Sequence, residues 1–253
     1  MPQLSVDVIL LDWGGTLARV AAQEQAWRRG ARAVCDRLAG HGLRHPEAVG
    51  RLIEIIHDAE AAAQRDPRHV EVDVRDVFAA WTRACGWPRP DDAVRDEAIR
   101  VFGENWVGCL EPYPGVIEAL AVLCDHGYRL GLTSNCWTPA PFVHAELDRH
   151  GFRPYLHGIT ISCEVGYRKP APIVFRTALS RVVGNGHVPP PERVLFVGDS
   201  PIPDIAGPSA LGMRTALVHN PETHCPPEDF ARVSPDIRVE SFADLVRQLP
   251  ARR

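Results

Sequence analysis

Lysine is almost absent from this chain. Of 28 lysines and arginines among its 253 residues, only Lys169 is a lysine. Chemistry that needs an amine able to lose its proton therefore has one side chain available, because a guanidinium stays protonated and is a poor nucleophile. An excess of positive charge is missing as well. The formal net charge of −4 leaves no electrostatic footprint for nucleic acid. No apolar run reaches the length of a membrane span, so no membrane partner is expected. The opening stretch, residues 1–7, lacks the basic and long apolar regions of a signal peptide and reads as a mature start. Paired cysteine spacing is also lacking. The seven cysteines are odd in number, scattered, and contain no C-x-x-C pair. That argues against a disulfide framework and a zinc site and points to buried free thiols in a reducing cytoplasm.

What is present is the composition of an ordinary globular protein, 45% hydrophobic and 24% charged. Residues 6–12 form a short apolar, β-branched run ending in Asp12-Trp13-Gly14-Gly15-Thr16, which reads as a buried parallel strand followed by a functional loop. From about Leu17 to Glu111 the period turns helical, with apolar residues three and four apart over 21–38, 46–64, 72–85 and 90–108. No strand is legible there. Trp27, Trp81 and Trp106 sit in this pattern as core aromatics of the insert, and Trp13 reads either as a core or hinge-packing aromatic or as an apolar wall for a hydrophobic substrate. After Pro112-Tyr113-Pro114-Gly115, strands at 129–133, 158–162, 193–197 and 214–218 alternate with helices, the one after Asp199 running through 205–211. The fold class is α/β, a doubly wound parallel sheet formed by residues 1–17 and 112–253, interrupted by an all-helical segment at 18–111.

Four predicted strands end in loops carrying polar groups. The first presents Asp12 and Thr16, the second Ser134 and Asn135, the third Lys169, and the fourth Asp199, with Asp204 five residues on. In a parallel sheet these ends converge on one edge, where ligands bind. Carboxylates, a hydroxyl and an ammonium gathered there suit phosphoryl transfer, with carboxylates holding a magnesium ion and one of them attacking in line.

The order and spacing of these loops resemble the four motifs of the haloacid dehalogenase-like superfamily. The supporting context is Tyr113-Pro114-Gly115-Val116, Lys169-Pro170-Ala171-Pro172, and the run from Gly198 to Gly207 followed by Gly212-Met213. The resemblance implies a Rossmann-like core with residues 18–111 as a helical cap. It implies Asp12 as the nucleophile forming an aspartyl-phosphate, and Lys169 as the group holding nucleophile and phosphate together. Thr16, Ser134 and Asn135 would bind phosphate. Asp12, Asp199, Asp204 and the Gly14 carbonyl would hold Mg²⁺. The expected partner is a small phosphorylated metabolite, and the protein a cytoplasmic monomer or homodimer.

One position departs from the pattern. The hydrolytic motif reads Asp-x-Asp-x-Thr, and its second Asp protonates the leaving group and then activates water; here that position is Gly14. Loss of a general acid or base costs about 10²–10⁴ in rate. Either the leaving group needs little protonation, or the acid comes from the substrate or the cap, or the protein is a weakened phosphate-binding module. Glu24, Glu54, His57, Glu60, His69 and Glu71 are the cap candidates. The loop is similar to that of phosphonoacetaldehyde hydrolase, but that enzyme uses a cap lysine to form a Schiff base, and this insert has no lysine. The 2-haloacid dehalogenase group also replaces the second Asp and needs no metal, yet lacks the motif-four carboxylate kept here as Asp199. A metal-independent hydrolase acting at carbon stands as the alternative.

Overall fold

The run at 6–12 becomes strand β1 (Val8–Leu11), every residue of which is buried. Its side chains alternate between two faces. Val8 and Leu10 pack with Phe175 and Val182, while Ile9 and Leu11 join the larger core on the opposite face. Burial on both faces explains why the strand reads as a continuous apolar run rather than an alternating one. The computed structural model describes residues 5–223 and 225–252. The expectation for the chain's opening falls partly on residues 1–4, outside that range.

In chain order β2 (Ala18–Val20) follows, then α1 (Gln23–Ala39), α2 (Ala48–Arg65), α3 (Val74–Ala84), α4 (Asp92–Glu104) and β3 (Leu110–Pro112). Next come α5 (Val116–Asp125), β4 (Arg129–Ser134), α6 (Ala140–Arg149), β5 (Gly158–Ile161), α7 (Ser162–Val165) and α8 (Pro172–Val183). The chain closes with β6 (Val194–Gly198), α9 (Gly207–Ser209), β7 (Arg214–Val218), α10 (Pro227–Ala231), β8 (Ile237–Val239) and α11 (Phe242–Gln248). Six strands form one sheet in the order β5-β4-β1-β6-β7-β8, and every pairing is parallel. β1 lies between β4 and β6, with Leu11 level with Leu132 and Val197. The loops after these three strands therefore open side by side at the switch point of the sheet.

Three details differ from the sequence reading. The segment expected to be all helical is entered and left through strands, since β2 pairs antiparallel with β3. Three-residue strands are too short to display a period of two. The edge strand β8 was not legible for the same reason. The helix expected over 205–211 is a π-helical turn over Pro201–Ala206 followed by the short α9. Pro201, Pro203 and Pro208 cannot donate to a regular helical ladder there.

The helices α1 to α4 pack on one another around Leu52, Ile56, Phe78, Trp81 and Phe102, all buried. Their return to the sheet is anchored by one buried carboxylate. Glu146 on α6 accepts hydrogen bonds from the backbone N–H groups of Gly108 (2.7 Å) and Leu110 (3.2 Å). Gly108 turns the chain with φ 93°. Glu146→Ala strands both donors and is expected to lower stability by about 2–4 kcal/mol, read from urea unfolding. A loss under about 0.5 kcal/mol would show that water replaces the carboxylate freely. All seven cysteines are free thiols, but only Cys85 and Cys109 are fully buried; the other five are half-buried. No helix among the described residues is long and apolar enough to cross a membrane.

Candidate active site

Asp12 directly follows β1, and its N–H donates to the Val197 carbonyl at 2.9 Å, which locks it to β6. The chain then turns tightly, with the Trp13 carbonyl accepting from the N–H groups of Thr16, Leu17 and Ala18. Gly15 has φ 87°, and a Cβ there would run into the Asp199 carboxylate, so the turn needs glycine on both counts. The Gly14 carbonyl accepts none of the turn's backbone bonds among the described residues.

The single lysine lies at the centre. Lys169 is buried, and its Nζ donates to Asp12 Oδ1 at 2.6 Å and to Asp204 Oδ1 at 2.7 Å. The ammonium also sits over the Phe196 ring, 5.1 Å from its centroid. Asn135, at the end of β4, clamps the lysine's backbone from both sides. Its Oδ1 accepts from Lys169 N–H at 2.7 Å, and its Nδ2 donates to the Lys169 carbonyl at 3.1 Å. The carboxamide expected at the phosphate thus acts here on the segment that presents the lysine.

Asp204 accepts from Lys169 on one oxygen and from Ser200 N–H (3.0 Å) on the other. Asp199 Oδ2 accepts from Asn220 Nδ2 at 2.8 Å and from the Thr223 hydroxyl. Its Oδ1 is buried with no partner among the described residues. Asp12, Asp199 and Asp204 bring carboxylate oxygens within 4.8 Å of one another. Burial, outweighing the attraction of Lys169, pushes Asp12 up to about 7, with Asp204 and Asp199 adding to the rise. Burial likewise raises Asp204. For Lys169, burial works downward, but the two carboxylates outweigh it and hold the ammonium above its usual range. Three buried carboxylates facing one ammonium, with one oxygen unpartnered, form a donor set that fits a hard divalent cation.

Asp12, Ser134, Asn135, Lys169 and Asp204 line one cavity of about 560 Å³, roofed by residues from the helical insert. Thr16 stays off that wall, its buried hydroxyl without a partner among the described residues. A family model for haloacid dehalogenase-like hydrolases matches residues 6–212. The chain belongs to this family. A glyceraldehyde 3-phosphate phosphatase from Methanopyrus kandleri is 26% identical over 89% of this chain and 90% of its own length. Another from Methanothermobacter thermautotrophicus is 32% identical, over 79% of this chain and 80% of its own length. Among solved structures, a 2-haloacid dehalogenase from Pseudomonas syringae superposes with a TM-score of 0.66 at 23% identity, covering 96% of this chain and 97% of its own.

In this hydrolase the insert's acid candidates divide. Glu60, His69 and Glu71 line the cavity, whereas Glu24, Glu54 and His57 do not. Glu24 pairs with Arg28 on the surface, and His57 packs on the Trp27 ring. Glu60 accepts from Trp137 Nε1 at 2.8 Å, tying α2 to the loop after β4, and burial raises its carboxyl. Trp13 packs edge-on against Trp106 and Phe152 and also lines the cavity, so it holds both positions read for it, packing aromatic and apolar wall. The sequence reading missed Asn220 and Thr223, which orient Asp199. Both follow β7, a fifth strand end to which the same argument applied.

Proposed function

We propose that this hydrolase is a magnesium-dependent phosphatase of small phosphorylated metabolites, with residues 18–111 serving as a cap over the site. The observation that carries this reading is the buried bridge Asp12–Lys169–Asp204 beside the unpartnered oxygen of Asp199. Relatives named as phosphatases of glyceraldehyde 3-phosphate support it. Asp12, Asp199 and the Gly14 carbonyl would hold the magnesium ion, with Asp204 adding charge and orienting Lys169. The ion supplies charge neutralisation for phosphate oxygens. An oxygen of Asp12 attacks phosphorus, and the ester P–O bond breaks with its electrons leaving on the alcohol oxygen, which takes a proton from solvent. Lys169 and the Ser134 hydroxyl hold phosphate oxygens through that step. Water then cleaves the aspartyl-phosphate, one of its protons staying on the released phosphate and the other returning to solvent, and Asp12 is restored as a carboxylate.

Phosphate release from a panel of alkyl, aryl and acyl phosphates, with Mg²⁺ and with chelator, tests the reading. Turnover lost in chelator is the expected result. Silence on every ester would sink it, and chelator-insensitive halide release from haloacids would put the metal-independent reaction at carbon in its place.

The missing second Asp gives a sharper expectation. Gly14 lies outside the left-handed region, and a Cβ there would meet only Val20 Cγ2, at 3.3 Å. An aspartate is therefore accommodated by a small shift of one side chain. Gly14→Asp is expected to raise kcat about 10- to 100-fold on alkyl phosphates, whose leaving groups need a proton, and less than about 3-fold on acyl phosphates. An equal change across the series would reject this account.

A further inference from the structure

The cavity contains a second polar pair, away from the carboxylate cluster. Glu71, from the insert, is buried; its Oε1 accepts from Val72 N–H at 2.8 Å, while Oε2 has no partner among the described residues. Arg168 faces it with Nη1 at 3.6 Å from Glu71 Oε1, too long for a hydrogen bond, and that nitrogen is also buried and unpartnered. Both side chains line the cavity that holds Asp12. Their backbones are fixed relative to each other, because Glu71 N–H donates to the Gly166 carbonyl (3.0 Å) and Arg168 N–H donates to the His69 carbonyl (2.9 Å). Arg168 immediately precedes Lys169, so the pair adjoins the phosphate end of the cavity.

A buried acceptor and a buried donor left open side by side suit a group that can bond both in place of water. A carboxylate would bond the arginine and repel the glutamate. An ammonium would do the reverse. Glu60, in the same cavity, also feels both charges, so Arg168 has no positive charge left over for a carboxylate, whereas a hydroxyl can donate to the glutamate and accept from the arginine at once. Resting on the phosphatase reading, we propose that Glu71 and Arg168 form a hydroxyl-reading subsite, and that the substrate is a polyol or sugar phosphate whose hydroxyl donates to Glu71 Oε2 and accepts from Arg168 Nη1.

The test compares glycerol 3-phosphate with n-propyl phosphate, which has the same chain without its hydroxyls. Wild-type kcat/KM is expected to favour glycerol 3-phosphate by about 10- to 100-fold, the range for a hydrogen bond to a charged, buried partner. Glu71→Gln places an amide donor where the acceptor stood and is expected to reduce that ratio to within about 3-fold of unity. Arg168→Gln should reduce it too. Titration calorimetry of both compounds against Asp12→Asn and Asp12→Asn/Glu71→Gln reads the same discrimination without turnover. Absent turnover with intact discrimination in binding would therefore sink the phosphatase reading alone. Equal wild-type handling of the two esters, in turnover and in binding, would overturn the subsite. So would a Glu71-dependent preference for O-phosphoserine over glycerol 3-phosphate, which would assign the pair to a zwitterion.

Discussion

Asp12→Asn is expected to reduce phosphate release by on the order of 10⁴- to 10⁶-fold, the scale on which removal of a nucleophile acts, while the fold persists. The amide is the same size as the carboxyl and can still accept from Lys169 Nζ and donate its backbone N–H to Val197. What it lacks is the charge and lone pair that attack phosphorus. The stability effect has the opposite sign. In the metal-free protein, burial holds the Asp12 carboxyl near 7, against 3.8 when exposed. A carboxyl whose folded pKa is raised binds its proton more tightly in the folded state, so its ionisation costs stability progressively between about pH 4 and pH 7. Asparagine stays neutral throughout. In chelator at pH 8, Asp12→Asn should therefore unfold at a higher urea concentration than wild type, with the difference vanishing near pH 4. Saturating Mg²⁺, by neutralising the carboxylates, should shrink it. Residual turnover above a tenth of wild type would remove Asp12 from the role of nucleophile. A less stable variant at pH 8 would mean that the bond to the lysine outweighs desolvation.

Lys169→Met carries the largest structural penalty. The methionine fills the aliphatic space but leaves Asp12 and Asp204 buried without the ammonium that each contacts within 2.7 Å. Breaking a buried ion pair from one side costs about 3–5 kcal/mol. The cost should appear at pH 8 in chelator and diminish at pH 5, where the carboxyls, raised further without the lysine, take up protons. Magnesium should restore part of it. Turnover should fall about 10³-fold or more, since the group neutralising the phosphate is gone. Arginine at 169 should not rescue it, because a planar fork cannot take the place of a compact ammonium between two carboxylates. Urea midpoints at the two pH values, with and without Mg²⁺, read the stability arm. A loss below 1 kcal/mol at pH 8 would show that the carboxylates share protons without needing the lysine.

Much of the site was legible because its chemistry sits at strand ends, and strand ends are local features of the chain. The run before Asp12, the loop at Ser134, the Gly198-Asp199 turn and the solitary Lys169 each declared themselves within a few residues. The same locality explains why the α/β class with a parallel sheet could be read, since the hydrophobic period differs between strands and helices. What was not legible depends on partners far apart in sequence. Asn135 was legible as a candidate phosphate contact, but not its clamp on the Lys169 backbone 34 positions away. Glu146 reads as a helix-surface carboxylate until α6 brings it beneath Gly108 and Leu110. Six insert residues were equal candidates for the cavity, and only their positions relative to the core separate Glu60, His69 and Glu71 from the rest.

By itself, then, the sequence determined the architecture, the family and the charged inventory of the site, because hydrophobic period and loop chemistry are written in contiguous residues. The sheet order that sets β1 between β4 and β6, the lysine bridge joining two carboxylates, and the pairing of 69–71 with 166–168 that brings Glu71 to Arg168 were decided only by the tertiary structure. Each depends on register and packing between distant segments, to an accuracy of tenths of an ångström at which hydrogen bonds and buried charges are made or lost.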